Sequence, residues 1–211
     1  MSLPATIEEV YPALQGNRFS GMNRDTAGAR TDAPLPVGPA RCQLYSLATP
    51  NGQKAGIMCE ELVELLGAGF EYNAHRIDIM KGDQFTQGFV NVNPNSKIPC
   101  MVFDGYRIFE SGAILVHLAE TFKVLMPKTP ELRAEALSWV FWQMAGQGPM
   151  FGNFGHFYRY APRDKLQVLE YGTARYGMEN RRLLSVMDLH LNAREWFVGD
   201  EYSIADIACY P

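Results

Sequence analysis

Apolar and polar residues alternate from Cys42 to Ser46 (Cys-Gln-Leu-Tyr-Ser), which predicts a short strand. From Ile57 through Leu62, Leu65 and Leu66 the spacing becomes helical. The stretch between them, Ala48 to Ile57, therefore turns a strand into a helix. A second strand is predicted over Tyr72 to Ile79, parallel to the first through a right-handed crossover. A polar Gly turn, Met80-Lys-Gly-Asp-Gln-Phe, then leads to a short helix around Phe85 to Val90. Asn93-Pro-Asn-Ser-Lys-Ile-Pro is a dense run of turn formers. It precedes Cys100 to Phe103 and Tyr106 to Phe109, which Asp104-Gly105 joins as a hairpin. Ile114, Leu115, Leu118, Ala119 and Phe122 form a helical stripe, opened by Glu110-Ser111-Gly112 with Ser111 as its natural N-cap.

After a Pro-containing linker, residues 123–130, strand patterns stop. Glu131 to Gly146 carries Leu132, Leu137, Val140, Phe141 and Met144 at helical spacing, and Leu166 to Arg194 carries Val168, Tyr171, Leu183, Val186 and Met187. Between them Gly146 to Arg163 reads as a loop crowded with Phe151, Phe154, His156, Phe157, Tyr158 and Tyr160, either a packed corner or the wall of an apolar pocket. Ser203-Ile-Ala-Asp206 has the form of a capping box opening one more helix. The expected organisation is an extension over 1–41, with a small apolar cluster at Val10, Tyr11 and Leu14, an α/β unit of βαβ-αββα order over 42–122, and an all-α half over 131–211.

Composition narrows the chemistry. With 47% hydrophobic residues, 211 residues can bury one large or two modest cores. A net charge of −4, with Lys and Arg scattered, argues against nucleic acid or an acidic membrane surface and for a small partner. Cys42, Cys59, Cys100 and Cys209 lie far apart with no C-x-x-C and no His at ligand spacing, so no metal site or dithiol pair is signalled; free thiols in a reducing cytoplasm are expected. No leader-like segment opens the chain, and no run approaches the roughly 20 apolar residues of a membrane helix, so a soluble, unexported protein is expected.

Two short stretches carry candidate chemistry. In Thr49-Pro50-Asn51-Gly52, Pro50 fixes φ and Gly52 permits unusual φ/ψ, so Thr49 and Asn51 project from a stiff turn toward a helix N-terminus that favours a thiolate or another anion. Both residue types are also good N-caps, and the turn alone fits that role as well. Glu110-Ser111 offers a hydroxyl and free backbone N–H groups to a carboxylate and an acid to the ammonium beside it, the two ends of an α-amino acid head; a cap followed by an incidental acid has the same sequence.

Thr49-Pro-Asn-Gly, Gly82-Asp-Gln-Phe, Asn93-Pro-Asn-Ser-Lys-Ile-Pro, Phe109-Glu-Ser-Gly-Ala-Ile-Leu, Phe141-Trp-Gln and Tyr202-Ser-Ile-Ala-Asp-Ile-Ala, in that order, resemble the glutathione transferase superfamily. More narrowly they are similar to the bacterial Nu-class transferases, which act as glutathione-dependent disulfide-bond reductases. The resemblance covers Cys42 to Pro211 and implies a thioredoxin-like domain followed by a helical domain. It implies that Thr49 and Asn51 contact the glutathione sulfur, Gln84 binds the glycyl end, Ile98 pairs with the cysteinyl amide beside a cis Pro99, and Glu110 and Ser111 hold the γ-glutamyl head. Arg182 resembles an arginine that reaches a glutathione carboxylate from the neighbouring subunit of a homodimer, although a solvated helix face has the same look.

The implied activity uses glutathione as co-substrate and no metal, with thiol chemistry carried by glutathione because no cysteine sits at the turn. Conjugation of electrophiles in the aromatic pocket, or a non-catalytic binding module, are the alternatives. The family continues through further helices, so the helical half is expected to be incomplete at Pro211, and the extension before Cys42 resembles that of longer Nu-class members.

Overall fold

The computed structural model describes Met22, residues 26–161, Arg163 and residues 166–211, with the Val168 side chain left out. The apolar cluster expected at Val10, Tyr11 and Leu14 lies outside these residues. Four strands, β1 (Cys42–Ser46), β2 (Tyr72–Arg76), β3 (Cys100–Phe103) and β4 (Tyr106–Phe109), form one sheet in the order β2-β1-β3-β4. β1 runs parallel to β2 and antiparallel to β3, which pairs antiparallel with β4. The parallel pair is joined by α1 (Pro50–Leu66), α2 (Gln87–Val92) precedes β3, and α3 (Ser111–Phe122) follows β4. This is the mixed sheet and helix order of a thioredoxin-like unit, and a mostly helical part follows it.

Local chemistry explains the elements. Thr49 caps α1, its hydroxyl accepting from the Gly52 N–H at 3.3 Å, and Pro50 takes the first helical position, where no N–H is needed. The buried line of α1 runs through Ala55, Met58, Cys59 and Leu62, with Ile57 and Leu66 half-buried against it; Leu65 falls off that line and is exposed, unlike the stripe expected from sequence. Gly52 sits inside the first turn of α1 without a positive φ, so close approach rather than unusual φ/ψ demands it. A Cβ there would lie 1.9 Å from the Leu47 carbonyl oxygen. Asp104 (φ 49°) and Gly105 (φ 85°) form the expected hairpin turn, and Arg41 bonds the Asp104 carboxylate through Nε at 2.6 Å. β2 ends at Arg76 instead of Ile79, because Ile77 and Ile79 turn into a small cluster with Tyr45, Phe89, Val92 and Cys100.

The helical half differs from the sequence reading at its centre. α4 (Pro130–Trp142) runs through a wide π turn at Gln143–Gln147 into α5 (Gly148–Gly155) and a second π turn at His156–Tyr160, where a loop was expected. The aromatics hold this path helical by packing on α6 (Leu166–Leu191). Phe157 stacks on Tyr176 with centroids 5.5 Å apart, and Gly172 leaves room for that ring, since a Cβ there would meet it at 2.4 Å. α6 is three residues shorter than the pattern to Arg194 implied, and Tyr171 and Phe141, expected on buried faces, are exposed.

The capping box of α7 (Ile204–Cys209) is present: Ser203 Oγ accepts from Ala205 N–H, and Asp206 accepts from Ser203 N–H at 2.9 Å. α7 belongs to two cores at once. Ile204, Ile207 and Ala208 join the cluster of Leu44, Met58, Leu62, Ile114 and Leu118, while Ala205 and Cys209 join Ala136, Phe197 and Val198. Among the described residues no helix is long and apolar enough to cross a membrane.

Candidate functional site

The N-termini of α1 and α3, the turn before β3 and the π turn after α4 meet around a cavity of about 330 Å³. Its size is at the lower end for small-molecule sites. Asn51 stands at one wall, Ile98 and Pro99 form the next, Glu110 and Ser111 close the end over α3, and Gln143, Met144, Gly148 and Pro149 face them from the helical half. The Ile98–Pro99 bond is cis, as the resemblance implied. Asn93 is buried and braces the turn, donating to the Lys97 carbonyl at 2.6 Å and accepting from Asn95 N–H at 2.9 Å.

Glu110, not Ser111, occupies the N-cap position of α3, because its backbone takes φ 74° and ψ 125° and Ser111 becomes the first helical residue. A non-glycine residue at positive φ of this kind costs of order 1–3 kcal/mol and is kept only where its surroundings impose it. Here it presents an exposed carboxylate at the cavity while Ser111 Oγ stays buried, its contact being Met144 Sδ at 3.6 Å. A sulfur acceptor is weak, so that hydroxyl can turn to a carboxylate. The close approach of the helical half at this point needs Gly112, whose added Cβ would meet Met144 at 3.1 Å.

Of the residues singled out from sequence, Asn51, Ile98, Pro99, Glu110 and Ser111 are thus brought to one cavity. Thr49 stands just outside it as the α1 cap; accepting from Gly52 leaves its own hydroxyl hydrogen free to donate. Gln84 is buried away from the lining, its amide nitrogen donating to the Ile79 carbonyl at 3.3 Å and its oxygen without a partner among the described residues. Arg182 lies on exposed α6, bonded to Glu179 at 2.7 and 3.0 Å, and does not reach the cavity of its own chain. Of the aromatics between Gly146 and Arg163, Phe157 stacks on Tyr176 of α6 and Phe154 on Tyr158, while Tyr158 and Tyr160 are exposed.

Several lining residues were not singled out. Lys97 and Asn95 sit inside the Asn93–Pro99 run, and Gln143 ends the Phe141-Trp-Gln motif, so each lay within a marked stretch. Burial and the nearby Arg30 lower the Lys97 amine below its ordinary value. Behind the wall, Lys54 is wholly buried, and its Nζ donates to Asn51 Oδ1 at 2.9 Å. Burial pulls that amine down to about 8. The signal was a lysine in the apolar line of α1, three residues after Asn51.

All four cysteines are buried. Burial pushes the Cys100 and Cys209 thiols up to about 12, and a hydrogen bond with Cys42 together with burial raises Cys59. Such thiols are poor nucleophiles. Among the described residues no group of His, Cys, Asp or Glu is gathered that could hold a metal ion.

Residues 53–120 match the model of the glutathione S-transferase N-terminal domain. The chain is 46% identical over 200 residues to disulfide-bond oxidoreductase YghU of Escherichia coli K12, covering 93% of this chain and 68% of that protein. It superposes with a TM-score of 0.91 and 44% identity on glutathione transferase YghU from Streptococcus pneumoniae, solved in complex with glutathione, over 99% of this chain and 79% of that one. A glutathione transferase from Pseudomonas putida, solved with one glutathione disulfide bound per subunit, gives a TM-score of 0.71 at 42% identity, over 81% of this chain and 73% of that one. A thioredoxin-like sheet, a cis proline beside a cavity shared with a helical half, and this degree of identity along most of both sequences have one reading: the chain belongs to the glutathione transferase superfamily.

Proposed function

We propose that the protein reduces disulfides with glutathione, binding the tripeptide along the cavity from Glu110 and Ser111 at the γ-glutamyl end, past Ile98 and cis Pro99, to Asn51 and Thr49 at the sulfur. The observation that carries this is the opening turn of α1, where a polar Asn at the cavity wall and a hydroxyl at the cap stand at a helix N-terminus and no cysteine is among the residues that line the cavity. A thiolate is stabilised there by hydrogen bonds and the helix dipole, but no protein disulfide can form. Thiolate of bound glutathione attacks one sulfur of the disulfide, making a mixed disulfide and expelling the other sulfur as thiolate, which takes up a proton. A second glutathione thiolate then attacks the glutathione sulfur of the mixed disulfide, breaking its S–S bond and expelling the substrate's second sulfur as a thiolate, which also takes up a proton. The net change is one disulfide reduced by two electrons and two glutathiones oxidised to glutathione disulfide. Relatives of similar sequence are named disulfide-bond oxidoreductases, and one is solved with glutathione disulfide, which supports this direction.

Gln84 at the glycyl end, a Nu-class assignment, a homodimer in which Arg182 of a second copy reaches the glutathione carboxylate, and a cytoplasmic setting complete the reading. The exposed apolar side chains of α6, Tyr171, Met178, Leu184 and Leu189, fit a helix that meets another surface. Gln84 reaches the ligand in this reading only by moving from its present bond to Ile79.

Turnover of 2-hydroxyethyl disulfide with glutathione is the test, run beside conjugation of a chlorodinitrobenzene. Reductase turnover is expected to dominate, and conjugation without reduction would reverse the assignment. A variant with Cys42, Cys59, Cys100 and Cys209 replaced by Ala or Val, once shown to be folded by circular dichroism, is expected to keep reductase turnover within a few-fold, since all four thiols are buried and none lines the cavity. Loss of activity in the folded variant would place a protein thiol in the cycle.

A further inference from the structure

Lys54 has no place in the chemistry described so far, yet it is a buried ammonium near the start of α1. Its side chain is fully buried, and among the described residues its ammonium makes a single hydrogen bond, to Asn51 Oδ1 at 2.9 Å. Two of its three N–H donors are left without a partner among the described residues, an arrangement that natural cores avoid unless something depends on it. A methionine would fill the same space at no such cost. The partner is the one α1 side chain at the cavity wall.

The chemistry of the pair fixes a direction. An ammonium only donates, so the Asn51 side chain must turn its oxygen to Lys54, and its amide nitrogen is left pointing the other way. Without Lys54 the amide could lie either way round, and with its oxygen outward it would repel a thiolate. We propose that Lys54 is a positioning residue for the sulfur end of the site: it holds Asn51 so that Nδ2 donates to the anionic sulfur of a bound thiol, and its charge polarises that amide.

The other charged and titratable groups leave this role to Lys54. Cys42 and Tyr45 of β1, His117 and Glu120 of α3, and Asp206 and Cys209 of α7 lie on the elements packed against α1, and of these only Cys209 acts on the Lys54 charge. Its thiol is held near 12 by burial, so it is neutral wherever the enzyme works. Asp206 is committed to the Ser203 and Phe197 backbone amides. With its own amine near 8, Lys54 is a cation at neutral pH and loses its proton just above. Disulfide reduction is therefore expected to rise with thiol ionisation and fall again once Lys54 is neutral, even while more thiolate forms.

This inference rests on glutathione being the thiol bound at this cavity. Calorimetric binding of glutathione to the wild-type protein tests that reading separately. The variants Lys54→Met, Asn51→Ala and the double variant test the lysine, with ultraviolet thiolate absorbance of bound glutathione against pH and reductase turnover as readouts. Lys54→Met is expected to bind glutathione within about three-fold of wild type, to raise the bound thiol pKa by about one unit, equivalent to ten-fold in the ionisation equilibrium, and to abolish the alkaline fall in turnover. In the Asn51→Ala background the same substitution is expected to change the thiol pKa no further, which a merely structural lysine would not produce. An unchanged thiol pKa in Lys54→Met, or an equal shift in both backgrounds, overturns the proposal. Should Lys54→Met not fold, Lys54→Gln, which keeps a neutral donor to Asn51 but no charge, is expected to hold turnover at the level wild type reaches once Lys54 is neutral and to lose the alkaline fall; a retained fall, or wild-type turnover at neutral pH, overturns the proposal in the same way.

Discussion

Disulfide reduction by the Asn51→Ala variant is expected to be ten- to a thousand-fold slower than by wild type, with glutathione affinity changed far less. Asn51 is the α1 side chain at the cavity wall, and its amide is oriented from behind by Lys54 at 2.9 Å. One donor held in place before the charge develops contributes on the order of 10²–10³ in rate at sites of this kind. The effect should appear as a higher pKa of the bound thiol and a lower turnover number, because the bond exists to the ionised sulfur and barely to the neutral one. Thr49→Ala should cost less: its hydroxyl already accepts from Gly52 N–H and caps α1, so its removal also weakens the helix start by about 1 kcal/mol. If the larger loss of turnover falls on Thr49→Ala and the bound thiol pKa is the same in wild type and Asn51→Ala, then the cap hydroxyl is the primary donor and Asn51 has only a helix-start role.

At the other end of the cavity, Ser111→Ala is expected to weaken glutathione binding about ten- to a hundred-fold, with turnover at saturation nearly preserved. Ser111 is buried at the first position of α3 beside the exposed Glu110 carboxylate, and among the described residues its hydroxyl bonds a methionine sulfur, at 3.6 Å. A hydrogen bond from that hydroxyl to a carboxylate is worth about 1.5–3 kcal/mol, and the helix N-terminus adds to it. Since the sulfur contact is weak, the substitution should leave the melting temperature almost unmoved. Isothermal calorimetry gives the affinity, and an unchanged dissociation constant would remove Ser111 from the amino acid subsite.

Parts of this arrangement were legible in the sequence because their causes are local. Asp104-Gly105 needs positive φ at two consecutive residues, Ser203 and Asp206 satisfy each other's amides, and alternation at Cys42–Ser46 marks a strand whichever partner it finds. The helical run from Gly148 to Tyr160 was not legible, since its glycines and aromatics favour a loop until Gly172 of α6 offers Phe157 a seat. The far wall of the cavity, Gln143 to Pro149, comes from the other half of the chain, beyond any local rule. Lys54 was passed over because a lysine near a helix start reads as solvated; only tertiary packing shows that its position is interior.

α7 is a keystone. Its six residues put Ile204, Ile207 and Ala208 into the core beneath the sheet and Ala205 and Cys209 into the core of the helices, so neither core can open without releasing it. Partial melting of one half, the usual course for two loosely joined units, is thereby suppressed. In native-state hydrogen exchange the amides of α7 should open with the same free energy as those of β1, as members of one cooperative unit, and separate opening energies for the two would show that the halves come apart independently. Since the cavity is walled from both halves, its shape persists for as long as this short helix stays seated.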